Sequence, residues 1–291
     1  MTALQTNNII TLSDGRKLSY AEYGDSDGTP IILFHGTPGT RLYWKSFPNF
    51  PFQSGVRLIA VDRPGYGLSD FKASQTYAEW PDDVLELIDS LGLNRVAVLG
   101  VSGGGPGTLA CAWKISDRLT TVGVISSLAP LTPETMAGVS QTNRFFYGLA
   151  RRAPRLIRLN MGMAAFVSRR NPNKLIGKMK YKLASADQSA LNQPVVRQTL
   201  AQNFRDAYKN GGRGAAQDII NQANPWPFAL EEIKMPVHIW QPEDDTSTPI
   251  AMGRYLGKTI PNSLVHFIPN AGHLWHIEHL NEVLGMLTPI A

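Results

Sequence analysis

Three settings in this chain hold residues that could break a bond together. The first is Ser102 in "VLGVSGGG" (98–105), a hydroxyl that follows a run of small and β-branched apolar residues and precedes three glycines. Gly100, Ser102 and Gly104 make the pattern G-x-S-x-G. A strand that turns into a helix within one residue forces the apex residue into an uncommon backbone conformation, and its neighbours must lack a Cβ. The helix that starts there aims free N–H groups and the positive end of its dipole at the same spot, which favours an oxyanion. A hydroxyl so displayed needs a base, and His273 in "PNAGHLWHIEH" (269–279) supplies an imidazole. The imidazole needs a carboxylate to orient it. "QPEDDTSTP" (241–249) offers Asp244 and Asp245 in competition, with Glu243 a weaker third. The chemistry these groups imply is nucleophilic attack by serine on an acyl carbon.

A further turn, "FHGTPGTR" (34–41), follows an apolar run. Its glycines, Gly36 among them, shape a bend that can offer the backbone N–H of Thr37, beside that of Gly103, as a two-donor oxyanion hole. His35 is read here as a packing and hydrogen-bonding residue of the turn, not as a base. The spacing His273, His276, His279 also fits a metal cluster, but no further ligands accompany it for a closed site, so zinc is rejected and the last two histidines are placed on the closing helix.

These groups need a scaffold that brings distant segments to one edge. Short apolar runs bounded by Gly, Pro or Asp recur at 17–24, 30–36, 56–62, 95–102, 119–127, 237–241 and 264–269. They read as strands buried on both faces, as in a parallel sheet. Between them, 76–92 carries apolar residues at Val84, Leu85, Leu87, Ile88 and Leu91, a helical stripe ending at Gly92. A second helix follows Ser102, and a closing one is expected from Leu274 to Met286. From about Pro130 to Met235 no strand-like run appears. A helical block interrupting a parallel pattern predicts a cap, residues 130–235, inserted into a core of 1–129 and 236–291, because the strands on either side need each other.

The chain is 291 residues long, with 43% hydrophobic and 18% charged residues, which suits one core with an elaboration and excludes disordered and fibrous classes. Its single cysteine, Cys111, excludes an internal disulfide and reads as a core residue. The N-terminal residues have neither a basic start nor an apolar run suited to export, so a cytoplasmic protein is expected. Charge is uneven. From Arg144 to Arg213 there are 15 Lys or Arg against Asp187 and Asp206, a net of +13, which leaves −8 for the rest of a chain of net +5. That reads as a solvated helical surface. Peripheral membrane contact remains open, because "RRAPRLIRLN" (151–160) interleaves basic and apolar residues as an interfacial helix does. No nucleic-acid motif accompanies the charge.

Taken together, "HGTPG" (35–39), "DRPGYGLSD" (62–70), "GVSGGG" (100–105), "EDDTSTP" (243–249) and "AGHLWHIE" (271–278) resemble the α/β-hydrolase superfamily, in its order and over the whole chain outside the helical block. The resemblance implies a mostly parallel eight-stranded sheet flanked by helices with an inserted cap. It implies Ser102 as nucleophile, His273 as general base and acid, Thr37 and Gly103 as oxyanion donors, and no cofactor. In relatives the acid precedes a proline by four residues, which selects Asp245 before Pro249. It also follows a glycine by three, and Pro242 stands there instead, so Asp244 stays open. Arg63 and Asp70 match a bracing loop. Serine at the nucleophile position disfavours haloalkane dehalogenase and epoxide hydrolase chemistry, which use aspartate. Esters, thioesters, lactones and activated C–C bonds of a small hydrophobic substrate all remain. So do a non-hydrolytic enzyme of this fold (lyase, cyclase or cofactor-free perhydrolase) and a ligand-binding receptor, as monomer or homodimer. The block's aromatics, Phe145, Phe146, Tyr147, Phe166, Tyr181, Phe204, Tyr208, Trp226 and Phe228, are the pool from which pocket walls are expected.

Overall fold

In the computed structural model, which describes residues 5–47, 55–180 and 183–288, the apolar runs form one eight-stranded sheet. The strands are β1 (Gln5–Thr11), β2 (Lys17–Gly24), β3 (Thr29–Phe34), β4 (Val56–Val61), β5 (Val96–Val101), β6 (Leu119–Ile125), β7 (Val237–Pro242) and β8 (Ser263–Ile268). Their spatial order is β1-β2-β4-β3-β5-β6-β7-β8. From β4 to β8 every neighbouring pair is parallel.

Two departures from the sequence pattern have simple causes. The run at 17–24 is buried but antiparallel to both β1 and β4. A tight turn closed by the Leu12 N–H on the Arg16 carbonyl joins β1 to β2, and so short a connection admits only antiparallel pairing. β1 itself shows no apolar run: QTNNIIT lies at the sheet edge with exposed and half-buried residues alternating.

The central strands explain where the core sits. Side chains alternate across a strand, so Ile32 and Phe34 of β3 join Val96 and Val98 of β5 in one apolar cluster, while Ile31, Leu33, Ala97, Leu99 and Val101 join the opposite one. Helices α1 (Trp80–Ser90), α2 (Gly105–Lys114) and α9 (Ile250–Thr259) supply the first face, and α10 (His276–Leu287) the second. The expected helix at 76–92 is thus shorter at its start, where Thr76 and Glu79 hydrogen bond in a turn.

Between β6 and β7 run α3 (Gln141–Arg152), α4 (Pro154–Arg170), α5 (Pro172–Lys180), α6 (Ser185–Ala190), α7 (Pro194–Ala207) and α8 (Arg213–Ala223). No strand interrupts them among the described residues. Prolines open α4, α5 and α7, where a missing N–H is harmless. Helices α3, α4 and α8 pack through small side chains, Ala150, Ala216 and Ala223 around Ile157. The segments flanking these helices join the core: Leu128, Val139, Trp226, Leu230 and Ile233 belong to the first sheet-face cluster.

Candidate active site

The sheet order reverses at β3, which lies between β4 and β5. Loops leaving the carboxyl ends of β3 and β5 therefore diverge, and such a crevice is where open α/β sheets bind ligands. β3 delivers His35, Gly36 and Thr37 there; β5 delivers Ser102.

Ser102 has φ +53, a left-handed conformation strained for a residue with a Cβ. The close approaches around it explain the glycines. A Cβ on Gly100 would lie 2.1 Å from Thr108 Oγ1, and one on Gly104 2.5 Å from the Phe34 carbonyl oxygen. With those side chains absent, β5 turns directly into the helical run Ser102–Lys114, and the serine stands at its start. Gly36 is close enough that a Cβ there would sit 3.2 Å from Ser102 Cβ, and one on Gly103 would strike Thr37 Oγ1 at 2.1 Å. The two turns are thus packed against each other, with Ser102 between them.

The loop after β7 brings Asp245 to the same edge. Its buried carboxylate accepts Oδ1 bonds from the N–H groups of Ser247 (2.7 Å) and Thr248 (2.9 Å), and Oδ2 bonds from Thr248 Oγ1 (2.6 Å) and His273 Nδ1 (2.7 Å). Burial opposes its ionisation, but His273 and these donors outweigh that and hold its pKa below the usual carboxylate range. For His273, burial opposes the charged form, yet Asp245 and then Asp187 hold its pKa above 6.5. Asp244 has an exposed side chain, and its backbone N–H donates to the Ala271 carbonyl at 3.0 Å. No hydrogen bond links His273 Nε2 to Ser102 Oγ in this structure. The two side chains instead open on one cavity of about 400 Å³. In unliganded enzymes this bond is often long and tightens when substrate binds.

His35 lies buried beneath the turn. Its Nδ1 donates to the Gly36 carbonyl at 2.8 Å while Nε2 accepts the Arg63 N–H at 3.1 Å, and burial next to Arg63 keeps it neutral, with a pKa well below 6.5. Asp70 accepts the Lys17 N–H at 2.8 Å at the exposed start of β2. Cys111 is buried on α2. The three spaced histidines part company. His276 is buried, donates Nδ1 to the His273 carbonyl, pairs with the Tyr43 hydroxyl at 3.0 Å, and is pushed down to about 3 by burial and by His273. His279 pairs with Glu282. Among the described residues no cluster of three metal-ligating side chains forms.

Two carboxylates that no motif announces also serve the site. Asp187 of α6 is 1% exposed and accepts the N–H groups of His273 (2.9 Å) and Leu274 (2.8 Å). It packs so tightly that a Cβ on Gly272 would lie 2.4 Å from its carboxyl carbon. Burial pushes its pKa up, against the pull of those donors. Asp218 of α8 accepts from Thr37 Oγ1 (2.6 Å), Tyr66 (2.7 Å) and the buried Arg63 guanidinium (2.8 Å). The inserted helices thereby hold both the histidine loop and the Thr37 turn. One signal in the sequence bore on the first of these, since Asp187 is one of two acids in a block of net +13.

The rest of the cavity is lined largely by apolar side chains, including Leu128, Phe146, Leu183, Leu200, Phe204 and Ile219. Asn143, Asn203 and Gln222 add amides, but no Lys, Arg, Asp or Glu lines it among the described residues. Of the block's aromatics, Phe146, Tyr147, Phe204 and Tyr208 reach the cavity; Phe145 and Phe166 face solvent, Trp226 and Phe228 pack with the core, and Tyr181 lies outside the described residues.

A serine at a strand-to-helix turn and a histidine–aspartate pair, both at the carboxyl edge of a doubly wound sheet, define an enzyme of the hydrolase kind. A sequence model described as alpha/beta hydrolase fold matches residues 29–280, and the chain belongs to that family. It is 32% identical over 127 residues to a non-heme chloroperoxidase of Streptomyces lividans, a match covering 42% of this chain and spanning only 45% of that protein. It is 24% identical over 275 residues to a putative 2-succinyl-6-hydroxy-2,4-cyclohexadiene-1-carboxylate synthase of Bacillus subtilis, covering 92% of both chains. Its fold is similar to that of a thermophilic esterase from Thermogutta terrifontis, with TM-score 0.70 and 24% identity over 97% of this chain and 96% of the other.

Proposed function

We propose that the protein is a serine hydrolase of small, neutral, largely apolar carboxylic esters, thioesters or lactones. The observation that carries this reading is that His273, paired with Asp245, opens with Ser102 on one cavity whose lining is largely apolar and holds no Lys, Arg, Asp or Glu among the described residues. Residues 130–235 act as the cap that sets substrate choice, on a core of 1–129 and 236–291. Ser102 Oγ attacks the acyl carbon as its proton passes to His273 Nε2. The imidazolium so formed is held by Asp245, whose hydrogen bond to Nδ1 fixes the tautomer. The N–H groups of Thr37 and Gly103 receive the oxyanion at the start of the helical run, where the dipole adds to their field. His273 then returns the proton to the leaving alkoxide or thiolate, and water activated by the same imidazole cleaves the acyl-enzyme.

The similarity to a synthase over most of the chain favours a second reading, a non-hydrolytic lyase or cyclase. That relative's name describes a carboxylate, however, and here no Lys or Arg lines the cavity among the described residues to receive one. Turnover of p-nitrophenyl esters of rising chain length, beside lactones, β-diketones and anionic enol substrates, tests the choice. The neutral ester reading predicts kcat/KM rising with acyl length until the cavity is filled. Turnover confined to anionic carbon–carbon substrates would overturn it.

A further inference from the structure

Helix α4 turns opposite faces to two environments. Ile157, Ala165 and Ser168 are buried, and Met161 lines the cavity beside Ser102. On the other face Leu156, Leu159, Met163 and Phe166 are 51%, 63%, 57% and 49% exposed. Their spacing of three, four and three residues confines them to an arc of about 80° on a helix that advances 100° per residue. Phe145 of the neighbouring α3 is 66% exposed. Half of the large apolar side chains exposed among the described residues therefore lie on these two helices. Single exposed apolar residues are ordinary, but a contiguous row of them is a contact surface.

The charges around the row say what covers it. Arg170 lies within the same arc and Arg155 about 20° beyond its edge, with Arg169 and Arg158 about 60° and 80° beyond it; all four are exposed and make no ion pair among the described residues. The Arg170 guanidinium lies 4.0 Å from the centre of the Phe166 ring, so charge and apolar surface form one patch. No acidic residue occurs between Arg144 and Asp187. A second copy of the same face would set arginine against arginine. A surface that is apolar below and anionic above satisfies both parts, the apolar row entering the headgroup layer while the guanidinium groups reach lipid phosphates.

We propose that the α3–α4 face docks this protein on anionic lipid bilayers, with Leu156, Leu159, Met163 and Phe166 inserted and the flanking arginines on phosphate. Docking so placed sets the bilayer against the outer side of a helix whose inner side, at Met161, forms the wall of the cavity. An apolar ligand dissolved in the membrane then lies one helix away from Ser102. Binding itself does not depend on the hydrolase reading, and it is tested without turnover.

The experiment is flotation of the purified full chain with vesicles of phosphatidylcholine alone or of a two-to-one mixture with phosphatidylglycerol, at low and high salt. Binding is expected to the mixture and not to phosphatidylcholine, and to weaken with salt. Each basic side chain near an anionic surface contributes a factor of about 5 in partitioning, so Arg155→Gln with Arg170→Gln lowers it by about 25-fold. Leu159→Ser with Met163→Ser lowers it by roughly tenfold or more. Both double variants alter exposed side chains and keep the wild-type melting temperature. Absence of binding to the mixed vesicles overturns the proposal. So does unchanged binding by both variants, or a wild-type dimer that both variants render monomeric, which would assign the face to a second copy.

Discussion

Replacing Asp187 by alanine removes the acceptor that holds the histidine loop. In the wild type its two oxygens take the N–H groups of His273 and Leu274 at 2.9 and 2.8 Å. Hydrogen bonds to a charged group contribute about 1.5–3 kcal/mol each. Part of that offsets the cost of burying the carboxylate, which is visible in its raised pKa. The expected net loss is about 2–4 kcal/mol, or roughly 5–15 °C in Tm for a chain of this size. Loosening the loop also misplaces the imidazole, and a shift of about 1 Å at a reacting group lowers rate by about 100-fold. A third effect separates position from charge. Asp187 is one of the two anions that raise the His273 pKa, so its removal moves the acid limb of kcat/KM to lower pH. Asp187→Asn keeps one acceptor and loses the charge; it should recover part of the stability while keeping the shifted limb. Thermal melts and pH–rate profiles on one chromogenic ester measure all three effects. An alanine variant with wild-type Tm and an unmoved acid limb would refute the reasoning.

The pair His273–Asp245 fixes further pH behaviour. In the proposed mechanism His273 must be neutral to accept a proton, and its raised pKa places the expected acid limb of wild-type kcat/KM above pH 6.5; Asp245→Asn should move that limb down and reduce kcat by roughly 10⁴-fold, measured by initial rates. The stability of the pair follows the same shifts. Asp245, depressed, stabilises above its unfolded value of 3.8 and loses this as pH falls through its lower folded pKa. His273, raised, stabilises below 6.5 and loses this as pH rises through its higher folded pKa. Denaturation across pH should therefore show a plateau between those limits that Asp245→Asn flattens. Gly100→Ala places a Cβ 2.1 Å from Thr108 Oγ1 and 2.8 Å from the Gly104 carbonyl oxygen, and should cost about 3 kcal/mol or more by melting. Adding Thr108→Ala should recover only part of it, since the backbone contact remains.

What could be read from the sequence followed from local physics. β5 announced itself because a strand covered on both faces has to be apolar at every position, and Gly100 is demanded by contacts within a few residues of Ser102, whereas Gly103 and Gly104 are demanded by the Thr37 turn and the end of β3. β1 gave no such signal, since QTNNIIT alternates at an exposed edge, and the antiparallel pairing of β2 is a property of its turn. Sequence spacing left two aspartates before Pro249. Only the fold distinguishes their surroundings, with Asp245 buried against His273 and Asp244 exposed. The contacts of Asp187 and Asp218 could not be read for a different reason, although the scarcity of acids in its block singled out Asp187. Their partners lie 86 and 181 residues away, across an insertion whose packing no periodicity encodes.

The central claim is that Ser102 is a nucleophile activated by His273. Incubation with a fluorophosphonate, followed by intact-mass and peptide analysis, tests it most directly. One adduct per chain is expected, on Ser102, absent from Ser102→Ala and strongly slowed in His273→Ala. A wild-type protein that stays unlabelled, or an adduct on another residue, would contradict it.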